Sequence, residues 1–226
     1  MAPSAPEPAL AGDTTLLEAV SVGAPDTARL WRMTNALIVP SRVSSLPGFT
    51  EASATSAAND WPVLVRATGG APVPQFPGML NIALAYRVGA DQPWSIDDAY
   101  RHLAAVLTDA LKPLGLDAVT GEIADAFCPG RYDLSLNGRK IAGLAQRRKR
   151  AEKGGQAILA HACLLVSGDL AGPFGALAAF EDAFMPTRKW RIEAATPLAA
   201  HLSSADPMAA AVAALIDTLR NHPSPL

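Results

Sequence analysis

Cysteine is scarce in this chain: Cys128 and Cys163 are the only two among 226 residues. Thiols so far apart in sequence make neither a disulfide framework nor a zinc-ligand spacing. That fits a reducing compartment, and the cytoplasm is the expected location. Neither sign of charge is in large excess. The formal net charge is −2, so the balance carries no nucleic-acid footprint. No run is apolar for long enough, free of charge and proline, to span a membrane. The opening MAPSAPEPALAGD lacks a basic start and a long apolar segment, so residues 1–13 read as a flexible tail rather than a signal peptide. Internal repeats and obvious domain linkers are missing too. With half its residues hydrophobic, the chain can bury one good core, and residues 14–226 are expected to form a single domain.

What is present alternates between strand and helix signals. Residues 14–22 suggest a short first helix. Residues 29–39 end in a β-branched run that reads as a strand, and the small residues of 40–59 suggest a loop with a helix. Residues 61–65 form a strand that delivers Arg66 into a turn on Gly69 and Gly70, and 79–86 resume as a strand. Glycines let a ligand approach the backbone, so Arg66 and the free amides there could hold an anion or a carbonyl oxygen. Residues 95–114 carry the clearest helical spacing, with Ser95 as N-cap and Gly115 as the stop. An apolar strand at 156–167 places His161 and Cys163 on one face, Cys163 reading as a buried small hydrophobe and His161 as a satisfied histidine of the core or of the layer behind a site. Helices follow at 173–184 and 206–221, separated by a loop and the segment 187–192. Together these elements argue for an α+β fold with a largely antiparallel sheet.

The densest information lies in residues 127–148, FCPGRYDLSLNGRKIAGLAQRR. Cys128 precedes Pro129 and Gly130, which sets its thiol at the mouth of a turn. Asn137-Gly138 is a two-residue hairpin signal. It pairs Leu136 with Arg139, Ser135 with Lys140, Leu134 with Ile141 and Asp133 with Ala142. Tyr132, Leu134, Leu136 and Ile141 then form an apolar face, and Asp133, Ser135 and Lys140 a polar one. Either this is an exposed hairpin with a solvated lysine, or it is a site in which Lys140 lies one diagonal step from Asp133.

The same stretch resembles the signature of the lipoate-protein ligase A and octanoyltransferase family. Its Cys-Pro-Gly-x-Tyr-Asp-Leu-Ser run, followed by Lys-Ile-Ala-Gly-x-Ala-Gln-Arg-Arg, is similar to the octanoyl-[glycine cleavage H protein]:protein N-octanoyltransferase branch. Arg66 with Gly69 and Gly70 resembles the family's Arg-x-Ser/Thr-Gly-Gly segment, and the run from Gly78 to Asn81 its Gly-x-Leu-Asn. The resemblance implies the biotin/lipoate protein ligase catalytic fold, related to class II aminoacyl-tRNA synthetases. It also implies that Cys128 carries the acyl group as a thioester, that Lys140 contacts that group, and that Arg66, Gly69, Gly70, Asn81, Asp133 and Gly143 surround it.

The implied reaction moves an octanoyl or lipoyl group to the lysine of a lipoyl domain or of glycine cleavage H protein, with no cofactor. Leu80, Ile82 and Ile141 would help line the acyl slot, and Lys140 and the backbone near Gly70 would hold the carbonyl oxygen. The basic run 147–153 would steer an acidic acceptor. Two departures stand out. Pro72 and Pro74 follow the glycine pair where ATP-using ligases carry a third glycine and a His-Asp pair, and Val39-Pro40-Ser41-Arg42 replaces a Gly-x-x-Gln type segment. The alternatives are an ATP- and Mg-dependent lipoate ligase, with Lys140 bridging the acyl-adenylate, and a non-catalytic lipoyl-domain binding protein. Nucleic acid and membrane are not expected as partners.

Overall fold

A computed structural model describes residues 1–91, 94–152, 154–185 and 189–221. Fifteen helices and strands carry the site. They are α1 (Pro6–Ser21), β1 (Thr27–Trp31), β2 (Ala36–Pro40), α2 (Ser41–Ser44), α3 (Phe49–Ala58), β3 (Val63–Arg66), β4 (Val73–Gln75), β5 (Met79–Val88), α4 (Ile96–Leu111), β6 (Val119–Thr120), β7 (Leu134–Leu136), β8 (Arg139–Arg150), β9 (Gln156–Leu165), α5 (Ala171–Phe184) and α6 (Pro207–Asn221). Six strands form an antiparallel sheet in the order β1-β5-β9-β8-β7-β6. A second sheet, β3-β2-β4, holds the one parallel pair among the described strands, β2 with β3. The crossover through α2 and α3 makes that pairing possible, because parallel neighbours cannot be joined by a tight turn.

The large sheet is buried on both faces, and β5 shows how its sequence arranges this. Leu80, Ile82, Leu84 and Tyr86 point to the core under α4 and α6, with Leu103, Leu107 and Leu215. Ala83 and Ala85 point the other way, joining Ala157 and Leu159 beneath Leu17 and Val20 of α1. Small alanines let that helix sit close on the strands. α4 starts on a capping box: the Ser95 hydroxyl accepts from the Asp98 amide at 3.1 Å, and the Asp98 carboxylate accepts from the Ser95 amide at 2.8 Å. Four orphan amides open every helix, and the box satisfies one while fixing the turn before it. Among the described residues no helix is long and apolar enough to cross a membrane.

Three expectations are corrected. Residues 6–13 are the first half of α1, not a tail, and Ala9 and Asp13 are buried there. The helix opens on Pro6, where proline's missing N–H costs nothing, and its alanine-rich text hid the stripe. Second, the hairpin register holds for two pairs only, Leu136 with Arg139 and Ser135 with Lys140, after which Leu134 faces Ala142 rather than Ile141. Third, β7 is only three residues long, so Tyr132 and Asp133 lie ahead of it. Thr187, expected to open the segment 187–192, and Lys153 of the basic run lie outside the described residues.

Candidate active site

The register shift is a β-bulge, and it decides where Lys140 points. Regular alternation would put Lys140 and Ala142 on one face of β8. With the bulge, Ile141 and Ala142 both face the α4/α6 core, beside Leu134. Lys140 and Gly143 therefore share the opposite face, and a Cβ on Gly143 would lie 3.3 Å from the Lys140 Nζ. Gly143 pairs with Cys163 of β9, which pairs with Asn81 of β5, which pairs with Trp31 of β1. One row of the sheet thus runs from the lysine to the tryptophan. The small sheet covers it, and a cavity of about 250 Å³ lies between, walled by Leu10, Trp31, Ile38, Val73 and Ala145.

Lys140 is 1 % exposed, so the solvated-lysine alternative falls. Its ammonium donates to the Phe127 carbonyl at 2.9 Å, the Cys128 carbonyl at 2.8 Å and Asp133 Oδ2 at 2.6 Å. It also lies 4.6 Å from the Phe127 ring centroid. Burial raises the Asp133 pKa from its ordinary value, with the Lys140 charge pulling the other way. Ser135, expected to share their face, donates its hydroxyl to the Val119 carbonyl at the sheet edge, 3.3 Å away.

Cys128 adopts φ +42°, a conformation that costs a non-glycine residue on the order of 1–3 kcal/mol. Its Sγ accepts the Ala71 amide at 3.1 Å. Gly70, at φ +106°, is packed so closely that an added Cβ would lie 3.0 Å from that sulfur and 2.9 Å from an Arg66 nitrogen. Arg66 is anchored by the carbonyls of Ile38, Gly69 and Ala71 at 2.8–2.9 Å. Burial lowers its pKa, and the neighbouring Cys128 opposes that most strongly. The glycine turn and the cysteine turn meet across the cavity, as the two sequence segments implied.

Other expected residues are redistributed. Asn81 faces the cavity and forms reciprocal amide bonds with Gln75, at 3.0 and 2.9 Å, while Cys163 donates to Asn81 Oδ1 at 3.0 Å. Leu80, Ile82 and Ile141 do not line the slot, because they face the helices across the sheet. The basic run is not one patch. Arg148 bonds the carbonyls of Trp94 and Ser95 and the side chains of Gln146 and Gln156, and Lys149 pairs with Glu18 of α1.

Sequence reasoning missed Gln75, Trp31 and Tyr100, which line the cavity. Gln75 was the legible one, since a lone amide in an apolar strand asks for a buried partner. His161, read as a histidine of the core or of the layer behind a site, lines the cavity as well and has Nδ1 3.6 Å from Asp13 Oδ2. Among the described residues no three of His, Cys, Asp and Glu gather as metal ligands.

Comparison with known proteins gives a consistent picture. A profile for the lipoyl protein ligase A/B catalytic domain matches residues 5–220. An uncharacterized protein of Cupriavidus necator is 39 % identical over 175 residues, which is 73 % of this chain and 68 % of that one. An octanoyl-[GcvH]:protein N-octanoyltransferase of Geobacillus kaustophilus is 34 % identical over 157 residues, 69 % of this chain and 54 % of its own. The chain spans about half the length of the octanoyltransferases it matches. Among solved structures, lipoate-protein ligase A bound with ATP superposes with TM-score 0.71 at 22 % identity, covering 94 % of this chain and 78 % of that one. A bipartite lipoate protein ligase from Thermoplasma acidophilum does so with TM-score 0.67 at 21 % identity, covering 94 % and 76 %.

Proposed function

This chain belongs to the lipoyl protein ligase A/B catalytic domain family, and we propose that it moves an octanoyl or lipoyl group onto the lysine of a lipoyl domain or of glycine cleavage H protein, through a thioester on Cys128. The observation that carries this reading is the setting of the Cys128 sulfur. It accepts a backbone N–H beside a buried guanidinium. These contacts fix the sulfur on the cavity wall, where a thiol can serve as the nucleophile. Curated relatives named as octanoyltransferases support the same direction.

In the first half-reaction the thiolate attacks the acyl carbonyl of the donor. A C–S bond forms, the bond to the donor's nitrogen or sulfur breaks, and the leaving group takes up a proton. In the second, the neutral ε-amine of the acceptor lysine attacks the thioester. The C–S bond breaks, the thiolate returns, and the nitrogen releases a proton. The apolar wall of Leu10, Trp31, Ile38 and Val73 suits an eight-carbon chain. A thiol that must stay reduced suits the cytoplasm. With the Lys140 hydrogens directed at Phe127, Cys128 and Asp133, Arg66 and the backbone amides near Gly70 are the donors proposed to hold the carbonyl oxygen.

Intact-mass measurement with an octanoyl-carrier donor tests the reading. A hydroxylamine-sensitive adduct should form on Cys128 without ATP and vanish in Cys128→Ala. Acceptor acylation that needs ATP and Mg and survives that substitution would replace the transferase with a ligase. Failure of both, with lipoyl-domain binding retained, would leave a binding protein.

A further inference from the structure

Arg42 closes the Val39-Pro40-Ser41-Arg42 segment that departs from the family pattern, and the reaction above gives it no part. It lies exposed on α2, and its guanidinium donates to the Gly70 carbonyl at 2.6 Å. Arg66 takes the two neighbouring carbonyls of the same turn, Gly69 at 2.9 Å and Ala71 at 2.8 Å. Three successive carbonyls are thus held by two guanidiniums. Like charges brought to one turn repel, and the Arg42 charge acts against that of Arg66. A single exposed bond made against that repulsion adds little to the fold. What matters is the group that it orients.

That group is one peptide unit. The unit from Gly70 to Ala71 is planar and trans, so its carbonyl and its N–H point in opposite directions. Arg42 holds the carbonyl end, and the N–H end donates to Cys128 Sγ at 3.1 Å. Gly70 sits at φ +106° without a Cβ, so its own backbone does little to stop the unit from turning over. The next residue, Pro72, has no N–H to offer in its place.

We propose that Arg42 is a positioning residue: by holding the Gly70 carbonyl it keeps the Ala71 N–H aimed at the Cys128 sulfur and at the oxygen of the carbonyl which that sulfur attacks. Once the carbonyl carbon is bonded to sulfur, its oxygen lies one bond further on, beside the same N–H. A donor already aimed there needs no reorganisation as negative charge develops. A unit turned over would present a carbonyl oxygen to that charge instead. The inference rests on Cys128 as the nucleophile, and it deepens that reading.

Arg42→Ala and Arg42→Lys are compared with the wild type at one pH. Acylation of Cys128 is followed by intact mass in single turnovers with two donors. One is octanoyl carrier protein, and the other is the small, uncharged octanoyl thioester of N-acetylcysteamine. Arg42→Ala should melt cooperatively yet acylate about 100-fold more slowly at saturation, the scale of a lost oxyanion donor. The half-saturating donor concentration should not change, and the loss should be the same with both donors. Arg42→Lys, a point donor on a simpler stem, should recover about tenfold.

A loss confined to the carrier protein, or a raised half-saturating concentration at an unchanged maximal rate, would make Arg42 a docking residue and overturn the proposal. Wild-type acylation by Arg42→Ala would overturn it as well. Hydrogen exchange followed by NMR needs no acyl donor. The Ala71 amide should exchange about tenfold faster in Arg42→Ala, because its peptide unit is no longer held. An unchanged exchange rate would overturn the proposal by itself. If the wild-type Cys128 takes no acyl group from either donor, the proposed function fails, and the exchange rates still decide whether Arg42 holds the peptide.

Discussion

At Cys163, burial pushes the thiol up to about 11, with Arg66 and the Gln75 amide pulling it back. A folded value above the unfolded one means that the neutral thiol is favoured by folding. That contribution is complete below about pH 9 and is lost as pH rises through 11. Iodoacetamide at pH 8 should therefore modify Cys128 and spare Cys163. Melts between pH 9 and 11 should fall more steeply in the wild type than in Cys163→Ala. The neighbouring amides make a second case. Asn81 completes the buried set with Gln75 and Cys163, so Asn81→Leu, of similar size, would strand their polar groups. A loss of about 1–3 kcal/mol in denaturant unfolding is expected, together with weaker acyl-donor binding.

Among the elements, β8 was the most legible and also the most misleading. Asn137 and Gly138 take φ of +51° and +73°, as an Asn-Gly hairpin requires, and the first two register pairs follow from it. Pattern reading has no signal for an extra residue at Ile141, because an apolar Ile-Ala pair satisfies either register. The bulge reverses which residues face the cavity from Ala142 onward, and with it the make-up of the cavity wall. Gly138→Val forces a β-branched residue into positive φ and should cost about 1–2 kcal/mol, measured as a shift in unfolding midpoint. The basic run is corrected at this scale too. Arg148 ties the segment ahead of α4 to the sheet: it bonds the Trp94 and Ser95 carbonyls there and Gln146 and Gln156 on β8 and β9. Arg148→Glu should therefore lower stability and slow self-acylation and transfer alike, instead of slowing acceptor docking alone. Equal self-acylation in the two proteins would restore the docking role.

For the molecule as a whole, the α+β class and the meeting of the two glycine- and cysteine-bearing turns were readable in advance. The role of the first helix was not, since nothing in its polar, alanine-rich text announces that it roofs Ala83, Ala85 and Ala157. Leu17→Ala should cost about 2–5 kcal/mol, measured as a shift in the unfolding midpoint. The strand order has a temporal consequence as well. One interior pair of the sheet, β5 with β9, joins residue 79 to residue 165 and residue 88 to residue 156. Both faces of the sheet and the row of cavity residues depend on it. Such a contact is closed only after a long loop has been organised, which slows folding towards the millisecond-to-second range. During refolding, a pulse of alkylating reagent should find Cys163 open until this closure and shut immediately after it. A newly made chain therefore holds no cavity, and binds no acyl chain, until the ribosome has released β9.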